Sequence, residues 1–320
     1  MKLASSISRV EIPCGVRPFW SVMIPAFNPR ADYLEETLRS VLAQDPGPDE
    51  MQIEVVDDAS PNGAPIEWVQ RVAGDRVTVH CESKNGGLAV TWNRCVARAQ
   101  GVWVHILHQD DSVLPGFYQK LEAAATRHEG AGLIATRSFF VNEEGVITGV
   151  TPRLKELEHG GHDPSPFFYA NPLQCPGVAV RREFYAQYGG FRTDMNYALD
   201  CEMWARVISK GGGVVLPDVL ARYRSSGGNE TSRLMKSGEN IEDLERLHLQ
   251  FGREFPAFNR ERARAVDSAV ALSQGQRLMA AGDIKAARIN FQIHRRLRKA
   301  MPLLTKLRRK IELMNGALHG

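Results

Sequence analysis

Short apolar runs alternate with helical patterns through the first 110 residues, and this alternation restricts the possible folds more than any other feature. Four runs have the length and composition of strands: 20–24, 53–56, 77–80 and 102–107. Between them, apolar residues recur at helical spacing. Repeated strand–helix units of this kind predict a largely parallel sheet with helices on both faces, so the sequence predicts an α/β protein. The first strand is expected to stop at Pro25, and Asp32 with Glu35 predicts a capped helix start.

Polar residues follow each of these strands. They are Asn28, Asp57 and Asp58, Asn85, and finally Asp110 and Asp111. Because ligands of such sheets bind outside the carboxyl ends of the strands, we expect these side chains to converge on one rim. Two acidic pairs there repel each other unless a cation or a hydrogen-bonding ligand separates them. Mg²⁺ or Mn²⁺ suits such a site, since both prefer carboxylate oxygens and share their shell with phosphates. The alternative is that each pair caps a helix or turn.

Composition supports a globular protein. The 320 residues are 43% hydrophobic and 24% charged, which excludes disordered, collagenous and polytopic membrane classes. A signal peptide and a spanning apolar stretch are not visible, so a cytoplasmic location is expected. The five cysteines are scattered and give no zinc framework. The glycine-rich loops of nucleotide kinases and dehydrogenases are missing after the first strand, so any bound phosphates need another partner.

The small net charge of +3 hides a strong asymmetry. Between Lys285 and Glu312 there are ten basic residues and one acidic residue, whereas the remaining residues carry 30 basic and 36 acidic groups. Two interpretations stay open. The basic tail forms an amphipathic helix on anionic lipid at the inner face of the plasma membrane, or it is the solvated face of a helix that packs on the catalytic domain or on a second subunit in a homodimer. Nucleic acid is disfavoured as a partner, because Phe291 is the one aromatic residue of the tail.

Several motifs occur in the order found in a known family. They are SVMIPAFN at 21–28, LRSVLAQ at 38–44, VVDDAS at 55–60, NGG at 85–87 with Trp92 and Asn93, and Asp110-Asp111 followed by Pro115. Over about residues 18 to 225 the chain resembles the family 2 glycosyltransferases of GT-A fold. The resemblance implies a Rossmann-like, mostly parallel sheet with helices on both faces. It also implies three parts: an N-terminal extension (1–17), a GT-A domain (18–235) and a basic helical region (236–320). The domain divides into a nucleotide-sugar half (18–125) and an acceptor half (126–235).

The resemblance implies a donor site for a nucleotide-diphospho-sugar. The residues placed there are Pro25, Ala26, Asn28, Asp57, Asp58, Asn85, Gly86, Asn93, His108 and Asp110. Asp110 and Asp111 are implied as ligands of Mg²⁺ or Mn²⁺. His108 departs from the family pattern, which often has an aspartate at this position. For Asp58, a role as the cap of the following turn is an equal alternative.

The second half resembles the segment that holds the family's catalytic base. Gly189-Gly190-Phe191 precedes the run from Leu199 to Arg206, which puts Asp200 at the base position. Gly177, Glu202 and Trp204 are placed on the acceptor side. Glu202 is expected more as a surface carboxylate than as a second base, and Trp204 more as a core residue than as a sugar platform.

The motif after the last strand of this half differs from the family pattern. Ser226 stands where the family often has a histidine, and Arg222 or Arg224 could pair with a phosphate instead.

The sequence therefore predicts an inverting, metal-dependent glycosyltransferase. Asp200 would deprotonate the acceptor hydroxyl while a metal at Asp110 stabilises the leaving diphosphate. The expected acceptor is a cell-envelope glycan or a lipid-linked saccharide. The alternative, which His108 and Ser226 suggest, is a binding or scaffolding protein that keeps the fold without turnover.

Overall fold

The structure is a computed structural model that describes residues 17–225, 227–228 and 230–300. The chain divides into two compact units. Of the described residues, the first unit holds 17–195 and 199–225, and the second holds 196–198 and those from 227 to 300. Residues 1–16 of the predicted N-terminal extension, Ser226 and the basic residues after 300 lie outside the described part.

The first unit is built on one mixed sheet. Its strands are β1 (Trp20–Ala26), β2 (Met51–Asp57), β3 (Thr78–Cys81), β4 (Trp103–Ile106), β5 (Ser112–Val113), β6 (Leu133–Val141), β7 (Ile147–Val150), β8 (Val178–Arg181) and β9 (Gly213–Arg224). The sheet order is β3-β2-β1-β4-β8-β6-β9-β5, and β7 pairs with β6. The strands β1 to β4 are parallel neighbours, β8 runs antiparallel to β4 and β6, and β9 is parallel to β6. The predicted α/β class is confirmed.

Six helices accompany this sheet in the described residues. They are α1 (Ala31–Leu42), α2 (Ile66–Ala73), α3 (Leu88–Arg98), α4 (Phe117–Arg127), α5 (Arg182–Tyr188) and α6 (Leu199–Gly211). Helix α1 buries Leu34, Leu38 and Val41 at helical spacing, as the apolar pattern predicts. Strand β1 is buried along its whole length, so it forms the centre of the core that carries the rim.

Four local predictions need correction. Strand β1 continues through Pro25. Its pairing with β4 ends at Met23, and Pro25 faces the β4 side, so the N–H that proline lacks is not needed for a ladder hydrogen bond. Asp32 does not cap α1; it forms an ion pair with Arg30 at 2.6 Å. The glycine, proline and acidic residues of segment 142–171 predict an irregular loop, but the segment contains β7. The apolar runs at 214–216 and 219–223 predict two short strands, but they form one strand, β9, with irregular register.

The second unit is helical. Its helices are α7 (Glu230–Ser237), α8 (Glu239–Glu254), α9 (Arg260–Ala280) and α10 (Ile284–Lys299). The sequence Ala281-Gly282-Asp283 predicts a turn between the last two helices, and the structure confirms it. Gly282 has a φ of +81°, and Asp283 accepts a hydrogen bond from the Ala286 N–H at 3.1 Å at the start of α10. Ile241, Ala271 and Leu297 are buried together at the centre.

Across the described ranges, no helix combines the length and apolar character needed to cross a bilayer.

Candidate active site

The loops that follow the parallel strands are joined by hydrogen bonds at one edge of the sheet. The backbone N–H of Phe27, after β1, donates to Oε1 of Gln109, after β4, at 2.8 Å. The N–H of Asn28 donates to Oγ of Ser60, after β2, at 2.7 Å. The side-chain amide of Asn85, after β3, donates to the backbone carbonyl of Asp58, the first residue after β2, at 3.1 Å. The predicted convergence of the strand ends on one rim is confirmed.

Asp58 fastens the loop before α3. Its carboxylate is buried and accepts hydrogen bonds from the N–H of Gly86 at 2.8 Å and of Gly87 at 2.9 Å. Arg94 donates to the same carboxylate at 2.7 Å. These three bonds, with that from Asn85, hold the segment 85–87 against the end of β2, so Asp58 shapes the rim through protein contacts.

Asp57 holds the turn after β2, which is the structural role considered for Asp58. The Asp57 carboxylate accepts bonds from the N–H of Ser60 at 3.0 Å and from its hydroxyl. That hydroxyl oxygen accepts the Asn28 N–H described above. Asn28 itself has a φ of +45°, in the left-handed region that asparagine tolerates, and its Oδ1 accepts from Asn62 at 2.6 Å. Ser60 thus links the Asp57 carboxylate to the backbone of Asn28.

The remaining donor-side residues are more deeply placed. Pro25 and Ala26 lie in β1, where Ala26 is in register with Asp57. Asn93 on α3 exchanges two hydrogen bonds of 2.8 Å with the backbone of Phe191, in the segment between α5 and α6. Asn93 therefore joins the two halves of the first unit.

Three side chains after β4 could hold a metal ion. Ligand atoms of His108, Asp110 and Asp111 lie within 4.8 Å of one another. Nδ1 of His108 lies 3.4 Å from Oδ2 of Asp111. That oxygen is buried and has no hydrogen-bond partner in the described residues. A buried carboxylate oxygen without a donor fits a cation site, and a nitrogen with two carboxylates is a donor set that accepts a divalent transition metal.

The electrostatics of the cluster point the same way. Burial, and then the negative charge of Asp111, raise the pKa of Asp110 to about 6. Burial lowers the pKa of His108, but its neighbours Cys175 and Asp111 outweigh burial, so the pKa of His108 lies above its ordinary value. The charge of Asp111 thus opposes ionisation of Asp110, and a divalent cation between the two carboxylates would relieve this repulsion.

Arg224 supports this cluster from β9 and was not recognised for that role in the sequence. Its backbone N–H donates to Oδ1 of Asp111 at 2.8 Å, and its Nε donates to the carbonyl of Asp110 at 3.1 Å. Its guanidinium pairs with Glu36 on α1, and the side chain is only 4% exposed. Thr37, also on α1, donates to the Asp111 carbonyl at 2.7 Å. The two aspartates are thus fixed by residues far away in the sequence.

The neighbouring arginine of β9 is more accessible. Arg222 is 42% exposed, and its guanidinium lies 3.8 Å from Glu36. Ser226, at the position where the family often has a histidine, lies outside the described residues.

Asp200 lies at the start of α6 with both carboxylate oxygens engaged. The side-chain amide of Asn171 donates to Oδ2 at 2.8 Å, and the N–H of Cys201 donates to Oδ1 at 2.7 Å. Burial raises the pKa of Asp200 to about 6, and these bonds together with the charge of His108 hold it from rising further. The charge of His108 lowers the pKa of Asp200, so Asp200 lies within electrostatic range of the cluster formed by His108, Asp110 and Asp111.

A cavity of about 460 Å³ adjoins Asn171. Its walls come from two segments between β7 and β8, residues 152–156 and 165–172. They combine apolar surface from Leu154 and three prolines with the polar groups of Arg153 and Ser165. This volume and mixture are typical of a small-ligand site.

The other residues placed on the acceptor side are buried. Glu202 is 1% exposed and pairs with Arg206 one helical turn later at 2.8 Å, so it is not the surface carboxylate that the sequence suggested. Trp204 lies in the core, with its ring edge-on to Phe191. Gly177 is also buried, and a Cβ there would lie 2.7 Å from a carbonyl of β6. These three residues are therefore buried and do not offer side chains on the protein surface.

Sheet, rim and carboxylates together define a GT-A protein, and comparison with known proteins agrees. Residues 21–188 match the family described as Glycosyl transferase family 2. The chain belongs to this family.

Two relatives extend the similarity beyond the matched segment. An uncharacterized protein of Mycobacterium tuberculosis is 30% identical over 256 residues, which cover 76% of this chain and 78% of the relative. The putative teichuronic acid biosynthesis glycosyltransferase TuaG of Bacillus subtilis is 28% identical over 246 residues, covering 73% of this chain and 91% of TuaG.

Solved structures share the fold at low sequence identity. The S. aureus TarS fragment 1–349 in complex with UDP-GlcNAc has a TM-score of 0.55 at 16% identity, covering 89% of this chain and 93% of that one. The mannosyltransferase PcManGT of Pyrobaculum calidifontis, in complex with GDP-Man and Mn²⁺, also has a TM-score of 0.55, at 18% identity, covering 94% and 80%.

Proposed function

We propose that this protein transfers a sugar from a nucleotide-diphospho-sugar to an acceptor hydroxyl, with inversion at the anomeric carbon. The observation that carries the proposal is the pairing of two acidic groups in one environment. One is the cluster of His108, Asp110 and Asp111, and the other is Asp200, whose pKa of about 6 suits a base near neutral pH. Family membership supports a transferase, and the finer mechanism rests on these residues.

Asp200 would act as the general base. In the proposed reaction its carboxylate takes the proton of the acceptor hydroxyl while the hydroxyl oxygen forms a bond to the anomeric carbon. The bond from that carbon to the diphosphate oxygen breaks on the opposite face, and the electron pair leaves with the nucleoside diphosphate. The hydrogen bonds from Asn171 and Cys201 orient the base for this transfer.

The metal cluster would serve the leaving group. His108, Asp110 and Asp111 would hold Mg²⁺ or Mn²⁺, which supplies positive charge to the diphosphate as it departs. Arg224 keeps the two aspartates in place through its bonds to Asp111 Oδ1 and the Asp110 carbonyl. The rim at Asn28, Asp57 and the 85–87 loop would receive the nucleotide.

The structural neighbours and relatives suggest the substrate classes. Neighbours carry UDP-GlcNAc or GDP-Man, which supports a nucleotide-diphospho-sugar as donor. The similarity to TuaG, named for teichuronic acid biosynthesis, supports a cell-envelope glycan or lipid-linked saccharide as acceptor. We propose a cytoplasmic location for the reaction. We propose the cavity beside Asn171 as the place where the acceptor enters, because Asn171 both lines it and donates a hydrogen bond to Asp200. We also retain, as a proposal, the division into a GT-A domain (18–235) and a helical region (236–320).

A donor screen tests the proposal. Thermal unfolding is followed with UDP-, GDP- and CDP-linked sugars, with and without Mn²⁺, because a donor at 100 times its dissociation constant stabilises the fold by about 2.7 kcal/mol. The stabilising donor is then assayed for nucleotide release and sugar transfer. Asp200→Asn should keep donor binding and lower kcat at least about 100-fold, whereas Asp49→Asn, at an exposed position, should not.

The substitution of His108 for the usual aspartate supports one alternative, a GT-A protein that binds a nucleotide sugar without turnover. That alternative predicts metal-dependent donor binding by the unmutated protein and no product with any donor. Equal transfer rates for the unmutated and Asp200→Asn proteins would contradict the role given to Asp200.

A further inference from the structure

Helix α10 carries basic residues near both of its ends. Its sixteen residues contain no aspartate or glutamate and six cations: Lys285, Arg288, Arg295, Arg296, Arg298 and Lys299. Helix α8 of the same unit has five acidic and two basic residues. The charge of the helical unit is therefore concentrated on α10.

The two faces of α10 differ sharply. The residues that are buried are small or apolar, apart from Asn290, and pack within the helical unit: Ala286, Ala287, Asn290 and Leu297. The exposed face carries Lys285, Arg288, Arg295 and Lys299, which are spaced by three, seven and four residues. This spacing aligns the four on one side of the helix, in a basic stripe about 21 Å long at 1.5 Å per residue.

The cation next to the stripe makes an ion pair within the unit. Arg296 pairs with Glu245 on α8 at 2.6 Å, so this cation is directed to the acidic helix. Arg295, Arg296 and Lys299 line a shallow groove with Gln292 and Ala300. A long cationic surface on a mixed-charge helical unit costs free energy through self-repulsion, which an anionic surface would relieve.

The sequence after α10 indicates what kind of surface this is. Four further cations, Lys306, Arg308, Arg309 and Lys310, lie there between leucine and isoleucine residues at 303–304, 307 and 311. Cations interleaved with aliphatic residues suit an interface with lipid, whereas recognition of single-stranded nucleic acid uses aromatic stacking that this region lacks. We propose that the basic stripe of α10 docks the protein onto a membrane containing anionic phospholipid. This goes beyond the proposed transfer reaction and does not depend on it.

Vesicle sedimentation tests the proposal with the full-length protein. The vesicles contain phosphatidylcholine alone or with 30 mol% phosphatidylglycerol. Binding should require phosphatidylglycerol and weaken as salt is raised, because the contact is electrostatic. The variant Lys285→Glu, Arg288→Glu, Arg295→Glu, Lys299→Glu should lower the partition coefficient at least about 100-fold, since each cation near the surface contributes roughly fivefold.

A matched variant separates a local contact from net charge. Arg71→Glu, Arg127→Glu, Lys210→Glu, Arg253→Glu makes the same charge change at exposed positions outside α10 and should retain most of the binding. Circular dichroism checks that both variants are folded. The proposal is overturned if the stripe variant still binds, if the matched variant loses as much, if phosphatidylcholine alone binds equally, or if duplex RNA binds more tightly at the same salt.

Discussion

The side-chain amide of Asn171 donates a hydrogen bond to Oδ2 of Asp200 at 2.8 Å, and Asn171 also lines a cavity of about 460 Å³. Asn171→Ala removes one of the donors that keep the pKa of Asp200 from rising. We expect kcat to fall about 10- to 100-fold, the range for losing a hydrogen bond to a charged group, and the pH at half-maximal kcat to move upward. Steady-state kinetics from pH 5 to 8 measure both.

Asn171→Gln is the companion variant, because it keeps an amide that can reach the carboxylate. It should recover part of the rate and return the pH profile toward that of the unmutated protein. A lower rate with an unmoved pH profile would mean that Asn171 supports the fold rather than the protonation state of Asp200.

The pH dependence of transfer should follow Asp200. Burial raises the pKa of its carboxyl to about 6, and only the deprotonated form can accept the hydroxyl proton. The rate should therefore be full above about pH 7 and fall about tenfold per unit well below pH 6. The profile is measured at saturating Mn²⁺ so that titration of Asp110 does not contribute. Asp200→Glu should still lose activity at low pH. If the residual activity of Asp200→Asn shows the same fall at low pH, the titrating group is not Asp200.

The metal cluster should prefer Mn²⁺ to Mg²⁺. Imidazole nitrogen suits transition metals, whereas Mg²⁺ selects oxygen ligands, and His108 supplies the nitrogen of this donor set. Calorimetric titration in the presence of the nucleoside diphosphate compares the two metals. His108→Asp should reduce the difference between the Mn²⁺ and Mg²⁺ affinities, because an added carboxylate favours Mg²⁺. Asp110→Asn should weaken the binding of both metals. An unchanged preference in His108→Asp would show that His108 is not a ligand.

Asp58 should contribute strongly to stability. Its buried carboxylate accepts bonds from Gly86, Gly87 and Arg94, and Asp58→Ala leaves these donors without a partner. We expect the free energy of unfolding to fall by about 2–4 kcal/mol. Urea unfolding measures this change. The control is Asp32→Ala, at a carboxylate 60% exposed, which should alter stability by less than about 0.5 kcal/mol. If Asp58→Ala and Asp32→Ala have similar free energies of unfolding, Asp58 does not contribute to stability in the way proposed.

Much of the fold could be predicted because its signals are local. Apolar runs gave β1, β2 and β4 to within a few residues, and helical spacing gave α1 and α3. Strand β7 could not be found in this way, since Ile147 and Val150 are exposed on an edge strand and do not produce a buried pattern. Asp32 was misassigned because a nearby cation, Arg30, competes for its carboxylate.

The sequence alone determined the α/β class, the family and the positions of acidic residues at the strand ends, since these follow from the periodicity and order of short motifs. Only the tertiary structure determined which hydrogen-bond partners each carboxylate has. Asp57 holds a turn, Asp58 fastens a loop and Asp111 keeps one oxygen without a donor. The partners that orient Asp200 and Asp111 are Asn171, 29 residues away, and Arg224, 113 residues away. Such contacts form when the sheet brings distant segments together, so no local pattern in the chain contains them.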